Sequence, residues 1–112
     1  MLDPGESVVW DAAANREQAG WRAVGGRLTL TTTRLLFTAN RFDAVLGGRD
    51  WVARRQGVQA VGVSGRSLKG GPFSGGIRHR LHLTLADGSE ELFVVRSPDE
   101  TAAELSRLLA AR

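Results

Sequence analysis

The sequence predicts a mainly β domain, about seven short antiparallel strands closed by one C-terminal α-helix, and three observations carry that prediction. Apolar residues alternate with polar ones at period 2 in short runs cut by glycine and turn residues, as half-buried strands require. Ser97-Pro98-Asp99-Glu100 then gives a helix start signal, after which apolar residues recur at helical spacing. Finally, 112 residues of which 42% are apolar and 24% charged suit a single globular domain, 1–112, with a core of its own.

Residues 6–13 (ESVVWDAA) read as the first strand on the β-favouring Val8, Val9 and Trp10. Residues 22–30 alternate Val24, Gly26, Leu28 and Leu30 against Gly25, Arg27 and Thr29, and the glycine pair inside them marks a bulge or sharp corner. Thr31-Thr32-Thr33 turns the chain into a third strand, 34–38, and residues 39–49 read as a loop. Residues 51–55 and 58–63 are apolar on both parities and read as one strand interrupted near Gly57. Residues 64–77 hold five glycines and a proline, too many for a regular element, and form a long connection.

Residues 78–85 place Leu81, Leu83 and Leu85 on one face, and Ala86-Asp87-Gly88-Ser89 is a hairpin signal. Register depends on turn length, because a slip of one residue exchanges the two faces of the returning strand. A two-residue Asp-Gly loop would set Leu83 against Leu92 and leave Phe93 outside. A three-residue Ala-Asp-Gly loop sets Leu81 against Phe93 and is preferred, since burying Phe is worth roughly 1.5–3 kcal/mol. In the last element, 98–111, the Ser97 hydroxyl and the Glu100 carboxylate can close a capping box, Pro98 occupies the first helical position, and Ala102, Leu105, Leu108 and Leu109 form one apolar stripe.

Charge is distributed unevenly. Fourteen arginines and one lysine face 12 acids for a net charge of +3, yet residues 41–80 alone carry +6 and residues 81–112 carry −3. Between Trp51 and Ala86 stand Arg54, Arg55, Arg66, Lys69, Arg78 and Arg80 with no acid. Such a run is either a solvated face or a surface for an anionic partner. The acidic start lacks the basic residues of a secretory signal, no apolar run approaches the roughly 20 residues of a membrane span, and the absence of cysteine excludes disulfides and thiolate metal sites. A cytoplasmic protein, peripheral to a membrane at most, is expected.

Pro4-Gly5-Glu6, the stretch Gly25-Gly26-Arg27-Leu28-Thr29-Leu30-Thr31-Thr32-Thr33-Arg34-Leu35-Leu36-Phe37, and the later Gly76-Ile77-Arg78-His79-Arg80-Leu81 and Leu85-Ala86-Asp87-Gly88 resemble the GRAM family of pleckstrin-homology (PH)-like domains, in particular its small stand-alone, bacterial-type members. The resemblance runs from about Pro4 to Leu109. It implies two roughly orthogonal antiparallel sheets capped by a C-terminal helix, and a membrane-associated or protein-binding module in which some members have phosphoinositide affinity. Fold alone does not fix function.

Catalytic patterns fail on inspection. His79 and His82 have opposite strand parity and cannot share a metal; His79 is expected toward the core edge and His82 on the surface. Lys69 precedes Gly70 where a phosphate loop needs it after the second glycine, and Pro72 removes a backbone donor. Neither Ser64 nor Ser74 completes a nucleophile elbow, because Arg66 and Pro72 stand where glycine is needed. Asp87 with Glu90 and Glu91 is a turn and its solvated shoulder. No enzyme and no cofactor is expected. What remains is the glycine-rich segment, in which Leu68 and Phe73 are set among Arg66, Lys69, Arg78 and Arg80, with Arg54 and Arg55 upstream. Those apolar residues either fold back on the barrel or insert into an anionic lipid surface. A non-catalytic module that meets anionic headgroups or an acidic protein through these eight residues is the leading expectation. An interaction or self-assembly module using a strand edge, Trp21, Trp51 or Leu36 is the alternative. Nucleic acid ranks last, since no aromatic-rich strand face is available for stacking bases.

Overall fold

The computed structural model describes residues 2–18, 22–45, 47–64 and 79–111. Their order is β1 (Val8–Gln18), β2 (Arg22–Thr31), β3 (Arg34–Ala39), α1 (Arg41–Val45), β4 (Trp51–Arg54), a 3-10 turn (Arg55–Gly57), β5 (Val58–Ser64), β6 (Arg80–Leu85), β7 (Glu90–Val94) and α2 (Pro98–Ala110). The strands form one antiparallel ladder in the order β4-β3-β2-β1-β7-β6-β5. Mainly β with one C-terminal helix is therefore the fold class.

β1 is the hinge of this ladder, and it outruns the apolar signal that predicted it. It pairs with β2 continuously from Trp10↔Leu30 to Gln18↔Arg22, and with β7 only through Asn15↔Val94 and Arg16↔Phe93. Backbone pairing needs no apolar side chain, so the strand continues through Arg16 and Glu17, whose charges are met by Glu91 and Arg80. The glycine pair in β2 is no bulge; the ladder shifts instead between Val8 and Trp10. Gly26 answers a close approach, because a Cβ there would lie 2.1 Å from the Thr38 carbonyl oxygen and 2.8 Å from the Phe37 ring.

Residues 51–63 are two strands, not one interrupted strand. β4 pairs with β3 and β5 with β6, at opposite ends of the ladder. The turn between them is bonded to both: Arg55 N–H donates to the Thr33 carbonyl at 2.9 Å, and the Gly57 carbonyl accepts from Ala86 N–H at 2.8 Å. A backbone tied to different strands at its two ends must change direction there.

The β6–β7 hairpin adopts the three-residue loop. Leu81 faces Phe93, Leu85 N–H donates to the Ser89 carbonyl at 2.9 Å, and Gly88 takes φ 91°, which favours glycine. Leu28, Leu30, Leu35, Phe37, Leu81, Leu83, Phe93 and Leu105 are fully buried, and the Phe93 ring lies 5.7 Å from both Phe37 and Trp51. α2 packs on β5 and β6 through Ala102 and Leu105, with Leu108 and Leu109 partly buried, as the stripe predicts. The helix starts at Pro98, but the capping box is not closed: the Ser97 side chain makes no cap bond, and its carbonyl accepts from Thr101 N–H at 2.9 Å.

Candidate functional site

Of the eight residues the sequence singled out, Arg66, Leu68, Lys69, Phe73 and Arg78 lie outside the described residues. Arg54, Arg55 and Arg80 do not share a face. Arg54 is exposed at the end of β4. Arg55 is half-buried; its guanidinium donates to the Thr31 carbonyl at 3.0 Å and the Leu108 carbonyl at 2.5 Å, bracing the last turn of α2, whose carbonyls favour a cation. Arg80 is 7% exposed and pairs with Glu17 of β1 across the intervening β7. Two of the three therefore hold the fold together, because a cation on a strand that neighbouring elements cover is buried and must be paired. His79 is exposed rather than turned to the core edge, while His82 is half-buried with Nε2 2.5 Å from Glu90 Oε1.

A cleft of about 680 Å³ opens where the β1–β7 pairing ends. Ala13, Ala14 and Asn15 of β1 form one wall, Val94, Val95 and Arg96 another, and Gly25, Gly26, Asn40, His79 and Pro98 complete it. His79 is the first described residue after the glycine-rich basic segment.

Asn40 is also where α1 starts, in a region the sequence read as loop. Asn40 Oδ1 accepts from Asp43 N–H at 2.8 Å, and Asp43 Oδ2 accepts from Gly25 N–H at 2.8 Å. These bonds fix a five-residue helix against β2, and the Asn40-x-x-Asp43 spacing is the signal that could have found it. α1 presents Phe42, 72% exposed, and Val45, 85% exposed, with exposed Arg41 and Arg49 on either side.

At the far end of β2 a second cluster escaped sequence reasoning altogether. The Glu6 carboxylate, 8% exposed as a residue, accepts from Arg34 Nε and Nη2, both at 2.8 Å, from the Thr31 hydroxyl at 2.5 Å, the Thr33 hydroxyl at 3.0 Å and Asp3 N–H at 2.8 Å. The Arg34 hydrogen bonds, then that of Thr31, hold the Glu6 carboxyl far below the usual carboxylate range, and Glu6 in turn raises Arg34. Both residues fall inside the stretches that carry the family resemblance. The available signal was an acid before β1 and a Thr-x-x-Arg turn before β3.

No protein-family model and no curated protein matches the chain. Solved structures do. The C-terminal domain of an unknown protein from Leishmania infantum superposes with TM-score 0.66 at 13% identity, over 96% of this chain and 84% of that one. The Vps36 N-terminal PH domain gives 0.62 at 18%, over 98% and 86%. The hSac2 domain from human phosphoinositide phosphatase Sac2 gives 0.54 at 15%, over 97% and 68%. The chain has a PH-like fold.

Proposed function

We propose that this domain is a GRAM-like, non-catalytic binding module that meets an anionic lipid surface at the cleft end of β1 and β2. The observation that carries the reading is the make-up of one cleft rim: His79 and Arg96 line it, Asn40 anchors the helix that exposes Phe42 and Val45, and Arg66, Lys69 and Arg78 precede His79 in the sequence. An anionic leaflet attracts each nearby Lys or Arg by about 1 kcal/mol, and apolar tips add burial when they enter the headgroup boundary. Leu68 and Phe73 belong to the same proposed surface by their place in the segment. Among the structural neighbours, the hSac2 domain comes from a phosphoinositide phosphatase, which agrees with this reading. Cosedimentation with phosphatidylcholine vesicles, with and without anionic lipid, tests it. Binding that needs the anionic lipid and weakens in Phe42→Ser and in Lys69→Glu is expected, and equal binding to both vesicle types overturns it.

A specific observation favours a second reading, self-assembly or protein binding. β4 is an edge strand, and its Val52 is 56% exposed, whereas Leu36 is half-buried, Trp51 packs on the core and Trp21 lies outside the described residues. An open edge with an exposed apolar residue can accept another strand. Light scattering across a concentration series decides: a dimer lost in Val52→Lys supports this reading, and a monomer throughout removes self-assembly.

A further inference from the structure

A second cavity, also about 680 Å³, lies at the opposite end of the first sheet half; six residue steps take the chain from Gly26 in β2 to Thr32 just past its end, about 20 Å. Its walls are the β2–β3 turn, the end of β4 with the 3-10 turn, and the end of α2, and it is lined by Asp3, Thr32, Thr33, Arg34, Arg54 and Arg55 among others.

We propose that this corner binds a phosphate-class oxyanion through Arg54, with Arg55 as its oriented cationic neighbour. Arg34 and Arg54 stand directly opposite in the β3–β4 ladder, and Glu6 matches the charge of Arg34 but not that of Arg54. Arg34 is locked by Glu6, and Arg55 is fixed by backbone carbonyls, which orient its guanidinium without neutralising its charge. The Arg54 side chain is exposed and makes no hydrogen bond or ion pair among the described residues. An anion at Arg54 meets a charge that no described carboxylate pairs with, and a guanidinium presents donors in the fork geometry that a phosphate accepts. The Thr32 hydroxyl, which accepts from Ser7 N–H at 3.3 Å, keeps its proton to donate. Asp3 is the built-in competitor, since its exposed carboxylate shares the cavity with the three arginines.

This site is independent of the lipid surface proposed at the other end, and it makes two predictions of opposite sign. Arg54→Ala weakens phosphate binding by about tenfold, the scale of a lost charge-assisted hydrogen bond. Asp3→Asn strengthens it. The measurement is titration of the ¹⁵N-labelled domain with inorganic phosphate at constant ionic strength, with chloride as the control anion, beside vesicles of phosphatidylcholine with and without phosphatidic acid. Saturable shifts at residues 32–34 and 54–56 with free phosphate assign a soluble phosphate. Binding of phosphatidic acid vesicles alone, lost in Arg54→Ala, assigns a lipid phosphomonoester at the same site. No saturable binding in either arm, shifts matched by chloride, binding unchanged in both variants, or shifts confined to Asn40 and His79 overturn the proposal. Arg54→Ala removes an exposed side chain that no described contact holds, so its thermal midpoint stays level, separating lost binding from lost folding.

Discussion

Phe93 is where the hairpin register becomes a measurable energy. The ring is fully buried between Phe37 and Trp51, with both centroids 5.7 Å away, so β7 grips β3 and β4 through one side chain. Truncation to alanine removes the ring from a packed core and costs about 3–5 kcal/mol. A domain of 112 residues has a total stability of roughly 6–17 kcal/mol, so this is a large share of it. At about 2.1 cal/mol/K of unfolding entropy per residue, 1 kcal/mol moves the midpoint by about 4 °C, and Phe93→Ala lowers it by about 13–21 °C. Phe93→Leu keeps most of the volume, loses the two aromatic pairs and costs about 1–3 kcal/mol, which keeps the test readable if the alanine variant does not fold. Urea and thermal unfolding followed by circular dichroism give the numbers. Leu92 faces His82 on the other side of the hairpin and is itself buried, so its truncation is costly too. A Phe93→Ala cost below about 1 kcal/mol would refute the three-residue loop and the core built on it.

Three further outcomes follow from the same geometry. Because Arg34 and its neighbours hold the Glu6 carboxyl well below its unfolded value, the stability it confers is complete above about pH 4.3 and is lost as pH falls below it; Glu6→Gln lowers the midpoint at neutral pH and flattens the acid decline, and an unchanged acid slope would count against the network. Asp87, lowered by the Ser89 hydroxyl and then by the Ser89 amide, has the same sign, so Asp87→Asn also flattens the acid limb. Gly26→Ala destabilises by about 1–3 kcal/mol as its methyl meets the Thr38 carbonyl, whereas Gly57→Ala, with open space and no positive φ, shifts the denaturant midpoint by no more than about 1 kcal/mol, and similar costs at both sites would contradict the close approach.

The contrast between what was legible and what was not follows contact distance along the chain. The β6–β7 hairpin and α2 were readable because their signals, a three-residue turn and a repeating stripe, lie within a few residues of what they specify. β4 and β5 were not separable, since only bonds to Thr33 on one side and Ala86 on the other divide them, and neither partner is visible from residues 51–63. α1 carried a local signal, Asn40-x-x-Asp43, but its five residues are too few for an apolar period to show.

The same distance argument governs charge. Arg54, Arg55 and Arg80 look alike in an acid-free run, yet one is exposed, one braces a helix 53 residues away and one is buried against Glu17. Arg34, outside that run, meets its acid 28 residues away. A cation already matched by a carboxylate has little attraction left for a ligand, so net charge per segment overstates the binding surface wherever strands fold cations onto acids. The arginines that count for function are those the ladder leaves unneutralised. At the corner with Thr32 and Thr33 that criterion selects Arg54 directly and Arg55 as its oriented neighbour. This is why phosphate affinity should respond to Arg54→Ala and to Asp3→Asn in opposite directions, while loss of Arg80 acts on stability.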